Sequence, residues 1–169
     1  MLPPARQDSD MNEFLPVPNV VPAGRIEGDG DEDTALLRQM LKDAKSYLLS
    51  FSWCESIVNS YFAGGVGMIF AIFLFEIIPA RAGVDRWMWI VVGDIPPAYL
   101  PLGDCKTSRE VFDTYIDGMK KWVVLAREGR GAAPDDCVPP VNVPATPEWA
   151  ERLDRRLTSL TKLIKPLFE

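Results

Sequence analysis

Residues 61–80 read YFAGGVGMIFAIFLFEIIPA, and this run constrains the fold more than any other. Its uncharged part spans fifteen residues and stops at Glu76. A membrane-spanning helix needs about 20 apolar residues with few charges. Gly64, Gly65 and Gly67 weaken a helix, while the Ile and Phe that follow favour a strand. The run therefore reads as a glycine turn over 63–67 and a strand from Met68 to Ile78. That strand is apolar on both parities, so it is covered on both faces. PARAGVDR then turns the chain, and WMWIVV, Trp87 to Val92, forms the next strand. So short a connection makes the two antiparallel neighbours. Pro96 and Pro97 end the second strand, because neither can donate to a ladder. AYLPL adds a short edge strand.

Helices are expected on either side of this block. A first helix begins near Asp33, where acids complement the helix dipole. Leu37, Met40, Leu41, Ala44, Leu48 and Phe51 form its apolar stripe. Residues 53–62 fit either a short strand or a continued helix. TSRE, Thr107 to Glu110, has the form of a capping box, and Gly129 is placed to end the helix it opens. Phe112, Tyr115, Ile116, Met119, Val123 and Ala126 make the buried stripe there. The last helix starts at Thr146 with Pro147 in its first turn. Leu153, Leu157, Leu160, Ile164 and Leu167 recur at spacings of four and three, too briefly for a coiled coil. The expectation is an α+β domain over 33–169: a small antiparallel sheet of 3–4 strands, an N-terminal helix and two C-terminal helices, all on one face.

Residues 1–32 carry five prolines, many acids and few large apolar side chains, which suits a disordered or loosely attached arm. FLPVPNVVP within it could lie on the body as an extended strip. The net charge of −6 resides here: residues 1–33 hold eight acids and two bases, and the rest is balanced at 16 of each. A neutral body without a basic cluster argues against sequence-independent nucleic-acid binding.

The chain has no histidine. That excludes a histidine general base, a Ser-His-Asp triad and histidine zinc sites. Cys54, Cys105 and Cys137 are scattered and odd in number, as in a reduced cytoplasmic protein. GGVG lacks the Lys-Ser/Thr of a phosphate loop and precedes a strand rather than a helix. No metal and no cofactor is expected, and no membrane contact, a membrane segment over 61–80 being the alternative reading.

Candidate binding residues gather at the second strand and its loop. Trp87 and Trp89 share one strand face and pack on a helix or anchor a partner. Asp94, Tyr99 and Asp104 surround the Gly93–Pro101 loop, where acids commonly serve turns. Glu76 is expected to be solvated near a turn and too far from Asp94 to form a catalytic carboxylate pair.

The stretches RWMWIVVGDIPPAYL, YIDGMKKWVVLAREG and PVNVPATPEWAERLDRRLTSL together resemble an uncharacterised family of small bacterial proteins, over about residues 35–165. That resemblance implies a bacterial or phage origin and a cytoplasmic life. It implies no activity, and no functional residue is carried over. The expected function is protein binding of an immunity or regulatory type, without catalysis. The alternative is a small enzyme or ligand-binding domain built on the acids of the Gly93–Pro101 loop.

Overall fold

The computed structural model describes residues 15, 17–131 and 141–169. Five antiparallel strands form one sheet in sequential order: β1 Val21–Pro22, β2 Cys54–Val66, β3 Phe70–Pro79, β4 Trp87–Gly93 and β5 Ala98–Pro101. Helix α1 is Asp31–Leu49, α2 is Ser108–Arg127 and α3 is Pro147–Leu163. The α+β class stands, with more strands than expected. No helix among the described residues is long and apolar enough to cross a membrane.

The helices cover both faces of the sheet, not one. Phe73, Phe75 and Ile77 of β3 join a core with Leu37, Met40, Ala44 and Leu48 of α1. Phe70, Ile72 and Leu74 face the other way, into a core with Phe112, Tyr115 and Met119 of α2 and Leu157 and Leu160 of α3. This is why β3 is apolar on both parities: alternate side chains serve different layers. Residues 70–77 are buried without a break.

Residues 54–66 form a strand, which resolves the choice left open by their sequence, and AGGV belongs to that strand rather than to a turn. The tight turn lies at Gly67–Ile69, immediately after it. The glycines answer to close approaches instead. A methyl group on Gly64 would meet the ring of Phe168 at 2.8 Å, and one on Gly65 would meet the Phe70 carbonyl oxygen at 2.5 Å. Register shifts between Phe62 and Gly64, where φ of Gly64 is +138°, as at a bulge.

The helix signals operate as read. Thr107 Oγ1 accepts from Glu110 N at 3.2 Å, and Glu110 reaches back to Lys106 N at 2.7 Å. Arg130 N bonds Leu125 O and Gly129 N bonds Ala126 O, a Schellman end with Gly129 at φ +70°. Thr146 caps α3 at Trp149 N. The seam departs at its end: Leu167 is exposed, and Phe168 takes the buried place because the chain tightens into a 3-10 turn at Lys165–Phe168.

The arm expectation needs correction within its described part. Val17, Val20 and Ile26 are buried, and Val21–Pro22 pairs with Phe62 and Tyr61 of β2. Proline is acceptable in so short an edge strand. Residues 1–14 lie outside the described part.

Candidate functional site

One end of the sheet opens into a cleft of about 790 Å³. Four elements build it. Helix α1 supplies Met40, Asp43 and Tyr47. The β2–β3 turn supplies Met68 and Ile69. The end of β4 and its loop supply Val92 to Ile95 with Pro97. Helix α3 supplies Arg155, Arg156, Ser159 and Leu160. The cleft thus sits where the sheet stops between its two helical layers.

Backbone contacts fix its floor. Gly93 has φ +151°, and a Cβ there would stand 2.2 Å from the Ile69 carbonyl oxygen. That oxygen also accepts from Asp94 N at 3.1 Å, which ties the post-β4 loop to the hairpin turn. Gly67 N donates to Asp33 Oδ1 at 2.7 Å, which ties the same turn to α1. Met68 N points at Met40 Sδ at 3.1 Å. Met68 itself has φ +66°, a left-handed backbone that costs a non-glycine residue about 1 kcal/mol or more. Its side chain is 54% exposed at the rim, so packing does not explain the strain.

The GDIPPAYLP loop is held from below. Tyr115 Oη donates to the Pro96 carbonyl oxygen at 2.7 Å. Burial, and secondarily Tyr47, hold the Tyr115 phenol well above its ordinary pKa, so it stays a donor. Ile95 is buried in the α2–α3 core. Two prolines fix φ between these anchors.

The cleft's polar groups stand above an apolar floor. Asp94 is not a cap for loop amides: its carboxylate is 70% exposed and faces Arg156 Nη1 at 3.5 Å. Asp43 Oδ1 accepts from Gln39 Nε2 at 3.2 Å. Tyr47 has its phenol pushed up to about 12 by burial and then by Tyr99, so it remains a neutral hydroxyl at physiological pH.

Of the five expected binding residues, only Asp94 lines this cleft. Trp89 is fully buried and its indole N–H donates to the Cys105 carbonyl oxygen at 2.9 Å. Trp87 is half-buried against the same core, 6.1 Å from the ring of Tyr61. Tyr99 points to the opposite layer, in a ring cluster with Tyr47, Phe51 and Trp53 whose neighbouring centroids lie 4.9–5.1 Å apart. Asp104 is exposed in the turn after β5, where its N–H bonds the Pro101 carbonyl oxygen. Strand parity foretold the shared face of the tryptophans. It says nothing of the helix that covers them.

Glu76 is also corrected. It is 6% exposed, accepts from Asn59 Nδ2 at 2.8 Å and pairs with Arg86. Cross-strand pairing explains this: Asn59 and Trp87 are its register partners on β2 and β4. Cys54 and Cys105 are buried free thiols whose pKa values burial raises, which makes them poor nucleophiles. Among the described residues, no cluster of three His, Cys, Asp or Glu side chains is placed to hold a metal ion.

Sequence reasoning missed Tyr47, Met68, Arg155 and Arg156. The paired arginines look like an ordinary solvated helix face. Met68 carried a weak signal, a bulky residue directly after a glycine in a turn. Comparisons with protein-family models, with curated proteins and with solved structures find no match for this chain.

Proposed function

We propose that this protein is a non-catalytic, cytoplasmic binding domain that takes a small, largely apolar molecule with a polar end into the cleft beside Gly93–Pro97. The carrying observation is the cleft itself. Its 790 Å³ lies in the range of about 300–1,000 Å³ common to small-molecule sites, with an apolar floor and few polar groups at its rim. Anchors at Ile69, Asp33 and Pro96 preform it, which limits the ordering cost of binding. The strained Met68 at the rim fits a residue kept for contact rather than for stability. The buried free cysteines suit a reducing compartment.

The test is amide NMR on the full chain with a set of small amphipathic fragments. Shifts should concentrate on 67–69, 93–97 and 155–160, and Ser159→Trp, an exposed helix position on the cleft wall, should abolish them. Fragments that bind elsewhere, or bind Ser159→Trp equally well, would remove the cleft from consideration.

The half-exposed rings of Phe51, Trp53 and Tyr99 favour a protein partner as the second reading, since aromatic residues anchor interfaces. Trp53→Ala and Phe51→Ala would then weaken capture of that partner, while leaving fragment binding at the cleft intact.

A further inference from the structure

We infer that the polar end of the cleft's ligand is a carboxylate, held by Arg155 and Arg156, and that Asp94 is a built-in competitor occupying that position when no ligand is bound. The inference rests on the cleft being the binding site, and it specifies the class: an aliphatic carboxylate.

Charge on the α3 wall is the first support. Arg155 and Arg156 stand side by side there and both line the cleft. The acids nearest in sequence are engaged elsewhere. Glu151 Oε1 and Asp154 Oδ2 bind Arg127 of α2, at 2.9 and 3.0 Å. Asp43, across the cleft, accepts from Gln39 on its own helix. Among the described residues Asp94 alone approaches the arginines, and it reaches only Arg156. Arg155 makes no ion pair with any described residue. Arg156 therefore has one loose carboxylate partner and Arg155 has none among the described residues, so the α3 wall offers guanidinium donors to a further anion.

The geometry of that contact is the second support. At 3.5 Å, with side chains 51% and 70% exposed, Arg156 and Asp94 make a single loose contact. An arginine offers a carboxylate two parallel donors, and such forked pairs are the strong ones. A loose surface pair contributes little, so an entering carboxylate displaces Asp94 at small cost. The apolar body of the same molecule then lies on Met68 and Ile69, which line the cleft and are 54% and 46% exposed. At the α3 wall a cationic ligand meets two arginines, and the acid beside them, Asp94, already faces Arg156.

The experiment titrates the full chain with octanoate, octanol and octylamine, followed by amide NMR at 67–69, 93–97 and 155–160. Octanoate should bind about tenfold tighter than octanol, as for a charge-assisted hydrogen bond, and octylamine should bind weakest. Arg156→Gln and Arg155→Gln should each weaken octanoate about fivefold or more and leave octanol unchanged. Asp94→Asn should tighten octanoate about threefold by freeing Arg156. A structural role for Asp94 would not produce that gain. Octanoate binding no tighter than octanol, or weakened in Asp94→Asn, overturns the carboxylate inference while the cleft stands. If none of the three ligands shifts the cleft amides, the cleft reading itself falls.

Discussion

Among the described residues an acid–arginine pair stands at either end of the sheet, and the two pairs behave differently. At one end Glu76, opposite Trp87, is buried beside Asn59 and closed over by Arg86. At the other end Asp94 follows Gly93, opposite Phe70, and its carboxylate remains 70% exposed, 3.5 Å from Arg156. The first pair satisfies a charge that the sheet has already taken out of water. The second satisfies nothing that water would not. Buried charges must be partnered, so Arg86 is committed to the fold. Exposed charges need no partner, so Asp94 and Arg156 are free to exchange theirs. The backbone repeats the contrast. The cleft end holds left-handed Met68 and the close approach of Gly93 to Ile69, so local constraint is concentrated where the side-chain charges are least tied.

The largest expected effect is at the floor of the cleft. Gly93→Ala should destabilise the chain by about 4 kcal/mol, combining a left-handed backbone with a Cβ pressed into a carbonyl oxygen. Urea denaturation measures it. A loss under about 1 kcal/mol would mean that the loop yields easily, and the cleft would then not be preformed. Second is Arg86→Ala. Orphaning a fully buried charge costs about 4 kcal/mol. Arg86 is itself 68% exposed and water can take its place, so roughly 2 kcal/mol is expected. Arg86→Lys should recover part of the loss. If Arg86→Ala were as mild as a change at Arg156, the two ends would not differ.

How much of this was legible follows from which contacts are local. The Thr107 and Thr146 caps and the Gly129 end rest on neighbours within a few residues, and the block from Phe70 to Pro101 on strands consecutive in the chain, so the chain displays them. β3 announced two-sided burial through its parities, yet parity does not say which helix lies on which side. The glycines of AGGVG meet the same limit. Gly64 makes room for Phe168, more than a hundred residues away, and nothing beside it in sequence says so. Glu76 looked solvated because its partners, Asn59 and Arg86, come from other segments. Asp94 was recognisable as a candidate from its loop. Tyr47, Met68, Arg155 and Arg156 were not, since three separate elements bring them to it.

A smaller effect, of opposite sign, should come from Met68→Gly. Relief of the left-handed backbone is worth about 1–2 kcal/mol. Glycine gives back about 0.5–1 kcal/mol through its freer unfolded chain. The variant should therefore gain about 0.5 kcal/mol in a denaturant titration while binding octanoate more weakly, having lost a rim side chain. A variant both less stable and fully competent to bind would show that Met68 is there for packing.

The smallest stability effect, and the sharpest separation of the two ends, is expected at Asp94→Asn. The carboxylate accepts no backbone N–H that the described structure shows. The loop is held by the main-chain bond from Asp94 N to Ile69 O and by Tyr115 on Pro96, and neither involves the Asp94 side chain. What is lost is one exposed ion pair at 3.5 Å, worth less than about 0.5 kcal/mol. The midpoint of urea unfolding should not move measurably, and raising the salt to 1 M should move wild type and variant alike, since the pair is screened. Octanoate binding should tighten in the same variant. Arg86→Ala at the opposite end should do the reverse: stability falls because the buried Glu76 carboxylate loses its charge partner, and ligand affinity stays put. A marked loss of stability in Asp94→Asn would place that carboxylate among the supports of the loop, and Arg156 would no longer be free to receive a ligand.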